Sequence, residues 1–269
     1  MGHTDRERRR LSVQAAVLNP LTDAFLRRAG LSAGMNVLEF GCGVGEVTLI
    51  AARLVGPQGT VHSLDIDGNA LEIARERIQS AGHDHVSFEQ IDIHAHRPAR
   101  LYDAVIGRHI LIHTPDPLDI LKTAASLVHV GGVVAFQEYD LSRRTPGYPA
   151  TPLATAVFQC LCDFIVRVRP APDVGVRLPH LLVQAGLTTP DAHAECVIGS
   201  GRHSLFFEWF AETYRTLLPA MQSLGMQLPD VPIEELESRM RDEALAVDAF
   251  ISGPLMVGAF ARKPADHTL

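Results

Sequence analysis

Gly41, Gly43 and Gly45 stand at alternate positions directly after the apolar run Val37-Leu38-Glu39-Phe40. Glycine carries no Cβ, so such a turn lets the backbone bend sharply and approach a ligand closely. Asp65 ends a second strand-like run over 60–65, a place where an acid accepts hydrogen bonds from the two hydroxyls of a ribose. Asp92 follows a third run, 86–91, and can accept from an adenine amino group; an Asp in a loop is common, and this one gains weight from its place at a strand end. Arg108 and His109 follow a fourth run, 102–107, and Glu138 and Tyr139 a fifth, 133–137. A histidine or carboxylate there is suited to take a proton from a nucleophile. His109 is the first candidate base, with Glu138 and Tyr139 facing the same mouth; packing or a structural hydrogen bond is the alternative role for His109.

The elements that must position these residues alternate along the chain. Val47, Leu49, Ile50, Ala51 and Leu54 give the spacing of a helix after the glycine turn, and a second helix over 69–81 ends at Gly82. Thr114-Pro115-Asp116-Pro117 leads into a third helix, and Gly131-Gly132 reads as a tight turn before the fifth strand. Strand and helix in alternation predict an α/β fold, a Rossmann-like, mostly parallel sheet with helices on both faces. Ligands in such sheets sit beyond the carboxyl ends of the strands. Glu39, the 41–45 turn, Asp65, Asp92, Arg108, His109 and Glu138 then gather at one edge, and this convergence carries more than any single motif.

On either side of this core, over 31–141, the pattern changes. Residues 1–30 read as a helical segment broken at Pro20 and capped by Gly30, either a lid across the cofactor mouth or a helix packed on the sheet edge. Residues 142–254 read as a helical cap with one further strand and helix, and 255–269 as the last strand and tail. Phe206, Phe207, Trp209, Phe210 and Tyr214 crowd one predicted helix over 203–224. They read as a cap lining an apolar substrate pocket or, the blander reading, as a helix packed on its neighbours.

The 24 Lys and Arg against 31 Asp and Glu give a net charge of −7, whereas a duplex nucleic-acid binder carries the opposite balance. The local run Arg6, Arg8, Arg9 and Arg10 reads as a solvated helix face or tail rather than a binding patch. Four cysteines show neither a disulfide framework nor zinc spacing, and Cys160 and Cys162 read as core residues. No signal peptide or span of about 20 apolar residues is apparent, which places the chain in the cytoplasm with no membrane partner. The histidine pairs His83/His85 and His94/His96 read as solvent-exposed loop residues, so no metal is expected. A homodimer is left open.

A dinucleotide site would have a third glycine where Glu46 stands, and a carboxylate there repels a diphosphate. A phosphate-free adenosine cofactor with positive groups removes that conflict and suits Glu39. The stretch Val37-Leu38-Glu39-Phe40-Gly41-Cys42-Gly43-Val44-Gly45 resembles the first motif of the class I S-adenosylmethionine-dependent methyltransferases. Asp65 is similar to their ribose-binding acid and Asp92-Ile93 to their adenine-contacting pair, while 108–117 and Gly131-Gly132 match the segments around their fourth and fifth strands. Within that superfamily the chain is most similar to small-molecule enzymes of the ubiquinone/menaquinone-biosynthesis type. The resemblance implies S-adenosylmethionine as cofactor, held by Glu39, Gly41, Gly43, Asp65, Ile66, Asp92, Ile93 and Arg108. It implies seven strands with the last antiparallel, and methyl transfer to a small molecule; the ring-bearing cap suits an apolar or aromatic one, with oxygen favoured as nucleophile. A cofactor-dependent cyclisation or rearrangement, a non-catalytic binding module and, disfavoured by Glu46, a nicotinamide dehydrogenase are the rival readings.

Overall fold

The computed structural model describes residues 5–142 and 147–265, with side chains from Arg9 onward. Arg6 and Arg8 of the arginine run therefore lie outside the described side chains. Among the described residues seven strands form one sheet: β1 (Asn36–Phe40), β2 (Thr60–Asp65), β3 (Val86–Gln90), β4 (Tyr102–Arg108), β5 (Val128–Asp140), β6 (Asp191–Gly199) and β7 (Ile251–Arg262). Their order is β3-β2-β1-β4-β5-β7-β6. The first five pair in parallel, with Glu39 opposite Ser63 and Ile106. The Gly131 N–H donates to the Lys263 carbonyl at 2.8 Å and the Lys263 N–H to that of Gly132 at 2.9 Å. The start of β5 thus meets the end of β7, so these two strands run in opposite directions.

The chain divides into two compact units. The larger holds Asn19–Asp140, Asp173–Ala194 and Met256–Leu269. In it α2 (Glu46–Val55), α3 (Gly68–Ser80), α4 (Pro117–Leu127) and α6 (Val174–Gln184) accompany the parallel strands. Val47, Ile50, Ala51 and Leu54 form the apolar stripe that the sequence spacing gives α2, and they cluster with Val37, Val61, Ile106 and Ala135 of the strands. Asp67 caps α3 through the N–H groups of Asn69 and Ala70, and Asp116 caps α4 through that of Asp119.

The smaller unit holds Met1–Leu18, Leu141–Pro172 and Glu195–Leu255, with α5 (Pro152–Val168), α7 (Leu205–Ser223) and α8 (Leu236–Ala246). The crowded rings of α7 pack on one another: Phe206 stacks on Phe210 at 4.2 Å, and Trp209 and Phe158 meet Phe210 at 5.1 and 5.6 Å. All four are buried, so the blander reading describes these rings within their own unit. Cys160 and Cys162 are buried in the same unit, as core residues. The first N–H groups of α5 at Leu153 and Ala154 are taken by the Glu243 carboxylate. Arg9 pairs with Glu208 at 2.7 Å on an exposed surface, where such a pair contributes little. Among the described residues no helix is long and apolar enough to cross a membrane.

Two local expectations fail. Pro20 lies inside the unbroken helix α1 (Asp5–Arg28). An internal proline costs about 3 kcal/mol or more. Beyond it Phe25 and Leu26 are almost wholly buried, at roughly 1.5–3 kcal/mol each, and Asn19 and Thr22 make side-chain hydrogen bonds, which together offset that cost. Gly131-Gly132 is not a turn ahead of the fifth strand. β5 begins at Val128, and the register steps from Tyr102↔Val128 to Ala104↔Val133, a bulge within the strand, with Gly131 at φ +81°.

A Cβ added to Gly132 would lie 2.8 Å from the His129 carbonyl oxygen and 2.9 Å from Val128 Cβ. Gly132→Ala is expected to destabilise the protein by about 1–3 kcal/mol, the scale of overpacking against backbone, read as a lower urea midpoint. A midpoint equal to wild type would mean that the bulge is free to relax.

Candidate functional site

The turn after β1 holds its three glycines at φ +64°, +52° and +82°, a region other residues enter only with strain. Gly41 also faces Ile110 closely enough that a Cβ would collide with its side chain, and a Cβ on Gly45 would meet Ala74 of α3 at 3.0 Å. Asp65 fixes this turn. Its Oδ2 accepts the Gly43 N–H at 2.7 Å and its Oδ1 the Asp67 N–H at 2.9 Å. Each oxygen of the carboxylate that closes β2 is thus already engaged, with acceptor capacity left over.

Beyond the strand ends lies a cleft of about 510 Å³. Of the residues singled out from sequence, Gly41, Asp65, Ile66, Asp92, Ile93 and His109 line it. Asp92 caps the 3-10 turn Ile93–Ala95 by accepting the His94 N–H at 2.8 Å. Ile66 is 74% exposed, an apolar side chain presented to the cleft rather than to the core. Ile91, Ile110, Pro115 and, from α4, Ile120 add to the apolar side, with His113 among them; no periodicity marks the loop residues of this set as wall. Among the described residues the wall carries two carboxylates and no Lys or Arg.

Glu39, Arg108, Glu138 and Tyr139 take other places. Glu39 is buried and accepts from Thr48 Oγ1 at 2.5 Å and Ser63 Oγ at 2.7 Å. The strand register, which sets Glu39 opposite Ser63, is the signal that could have found this partner. Burial pushes the Glu39 carboxyl up to about 7 against those two hydrogen bonds and the attraction of Arg108. Arg108 donates to Asn19 Oδ1 at 3.1 Å and Thr22 Oγ1 at 2.9 Å, and Thr22 donates onward to Gln137 Oε1 at 2.7 Å. Glu138 is fully buried, and its Oε1 accepts the N–H groups of Ile110 and Leu111 at 2.8 Å each. Desolvation raises it to about 8 in spite of these donors.

His109 has a left-handed backbone at φ +56°. Its N–H donates to the Gln137 carbonyl at 3.0 Å, its ring stacks on Tyr139 at 4.0 Å, and its Nε2 lies 3.2 Å from Met256 Sδ. Burial, with Arg108 and His113 adding to it, holds the imidazole well below its ordinary value, so it is neutral.

Two sequence arguments need correction. Glu46 is no bare charge: Arg77 and Asn19 both donate to it, so its repulsion of a diphosphate is largely compensated. The acid-bearing wall, without Lys or Arg among the described residues, is the better ground for a phosphate-free ligand. His96 is no exposed loop residue either; the 3-10 turn folds it inward to 6% exposure against Glu89 and Tyr102.

Residues 31–163 match a family model described as a methyltransferase domain. The chain is similar to the methyltransferase GfsG of Streptomyces halstedii, 33% identical over 120 residues that make up 44% of this chain and 42% of that one. It is 34% identical to the ubiquinone biosynthesis O-methyltransferase of Vibrio vulnificus over 133 residues, 49% of this chain and 54% of that one. The chain thus spans about half the length of the curated relatives it matches. Among solved structures the [4+2]-cyclase SpnF has the same fold, with a TM-score of 0.56 at 20% identity, covering 91% of this chain and 81% of that one.

The buried acids carry a pH signature. The folded protein keeps the Glu138 proton up to about pH 8, while the unfolded chain releases it near 4.5. Between those values the folded state holds more protons, so stability falls as pH rises. Glu138→Gln mimics the protonated side chain. It is expected to flatten the decline in unfolding free energy between about pH 5 and about pH 9 by an amount on the order of a few kcal/mol. Urea titrations across that range check it, and an unchanged slope would mean that Glu138 ionises normally in the fold.

Proposed function

The chain belongs, through residues 31–163, to the class I S-adenosylmethionine-dependent methyltransferases, and from that premise we propose that it transfers a methyl group to a small apolar or aromatic molecule, with oxygen the favoured nucleophile. The observation that carries this reading is the cleft itself: the glycine turn, Asp65-Ile66 and Asp92-Ile93 converge on one space of about 510 Å³. The cofactor of this family is S-adenosylmethionine, and the residues present fit it. Asp65 retains acceptor capacity for a ribose diol beyond its two backbone donors. Ile66 and Ile93 offer apolar surfaces to an adenine, and Asp92 faces the same space for its amino group. A wall with two acids and, among the described residues, no Lys or Arg suits a cationic ligand without phosphates.

Bound there, S-adenosylmethionine supplies an electrophilic methyl group for in-line displacement. The protein's part is to place a nucleophile and manage its proton. His109, neutral and in the cleft wall, is our candidate to accept that proton. A weakly basic imidazole matches an acidic hydroxyl, a phenol or an enol, better than an aliphatic alcohol. Tyr139 holds the His109 ring by stacking, and Glu138 positions the next two residues through their N–H groups. Arg108 and Glu39 act in this reading through the segments they tie together. Preference for oxygen draws on the likeness to the ubiquinone biosynthesis O-methyltransferase. We place the chain in the cytoplasm, acting on a small molecule and not on nucleic acid. The cyclase of the same fold motivates a second reading, cyclisation or rearrangement with the methyl retained.

Ile66→Ala is expected to weaken S-adenosylmethionine binding roughly 3- to 10-fold, about one buried apolar contact, while leaving thermal stability unchanged because the side chain is exposed. Asp65→Ala should lose about 1–3 kcal/mol of affinity. Titration calorimetry measures both; tight NAD binding with none for S-adenosylmethionine would overturn the reading. His109→Ala is expected to lower kcat with cofactor affinity near that of wild type, and unaltered kcat would remove it as the base. Cofactor labelled at the methyl, followed into product, separates transfer from cyclisation.

A further inference from the structure

Parallel pairing of β2 and β3 sets His62 opposite Ser87 and Leu64 opposite Glu89. Side chains alternate along a strand, so His62 and Glu89 share one face of the sheet, opposite to that of Ser63 and Asp65. His96, folded in just after the Ile93–Ala95 turn, joins them there. The His62 Nε2 lies 3.1 Å and the His96 Nδ1 3.0 Å from the same oxygen, Glu89 Oε2, and all three atoms fall within 4.8 Å of one another.

We propose that His62, Glu89 and His96 form a binding site for a divalent transition cation of the zinc class, separate from the cofactor cleft. Tetrahedral coordination with bonds of about 2.0–2.1 Å sets ligand atoms roughly 3.3 Å apart, so the two observed separations need open by only a few tenths of an ångström. Each imidazole is already oriented through its other nitrogen: His62 Nδ1 is 2.7 Å from Ser87 Oγ and His96 Nε2 3.0 Å from Tyr102 Oη. Metal-bound histidines are held by partners of this kind. The hydroxyls serve either state. Without a cation they donate to the imidazoles, whose other N–H groups bond Glu89; with a cation the tautomers reverse and the hydroxyls accept. His96 is buried, whereas the His62 and Glu89 side chains are 23% and 40% exposed, which leaves an entry path and a fourth position for water. Two imidazoles and one carboxylate favour zinc, cobalt, nickel or copper over magnesium or calcium. The site rests on these contacts and not on the methyl-transfer reading.

The test uses the full chain, stripped with chelator. One equivalent of Co²⁺ is expected to give the visible ligand-field bands of a four-coordinate site. Zn²⁺ should displace it, bind one per chain by metal analysis, and raise the melting temperature. His62→Gln and Glu89→Gln, both partly exposed and confirmed as folded by thermal melting, should each weaken zinc binding by roughly 100-fold or more. The double variant His83→Gln/His85→Gln, at the neighbouring loop pair, should bind as wild type. No stoichiometric binding by wild type, binding that persists in His62→Gln and Glu89→Gln, or loss in the His83/His85 control would each overturn the proposal.

Discussion

The Asp65 carboxylate takes the Gly43 N–H on one oxygen and the Asp67 N–H on the other, and so ties the glycine turn after β1 to the end of β2. Hydrogen bonds to a charged acceptor contribute about 1.5–3 kcal/mol each. That is enough to hold three glycines in one left-handed arrangement against the freedom such residues keep when unconstrained. The same residue lines the cleft. The carboxylate that would bind a diol is therefore also the one that shapes the turn, and a ligand meets a geometry already formed.

Two more acids lie at the carboxyl ends of strands, and they behave differently because they are buried. Glu39 has two hydroxyl donors and Glu138 two backbone donors, yet both carboxyls sit well above the ordinary value, at about 7 and about 8. Desolvation thus outweighs hydrogen bonding at both positions. At neutral pH Glu39 is close to half protonated, so a positive charge brought near it would draw it toward the carboxylate at small cost. Glu138 stays protonated and works as a fixed acceptor for the segment that starts at Ile110.

What the sequence made legible was local and periodic. Strand-like runs alternating with helical stripes gave the parallel strands in chain order, and glycines with an acid at the next strand end gave the cleft. The misses were all long-range. Pro20 is a helix breaker by local rules, and only the burial of Phe25 and Leu26 and the bonds from Asn19 and Thr22 let the helix pass it. Glu46 looked like a bare charge because Arg77 is distant in sequence and arrives from another helix. Gly131-Gly132 has turn chemistry, but pairing on both sides turns it into a bulge. His96 sits in a polar loop whose inward fold depends on Glu89 and Tyr102.

His109 is held in a strained backbone conformation. A non-glycine residue at φ +56° costs on the order of 1–2 kcal/mol. Glycine would relieve that strain, but it would remove the ring that stacks on Tyr139 and reaches the cleft. The strain is balanced by the Gln137 carbonyl and the stacked ring, each worth about 1 kcal/mol. What is held in place at this cost is an imidazole kept neutral by its surroundings. Such a group accepts a proton readily only from a hydroxyl that gives one up readily. If His109 is the base, the burial that fixes its position also limits the acidity its substrate must have, and the choice of nucleophile follows from the electrostatics of the wall rather than from its shape.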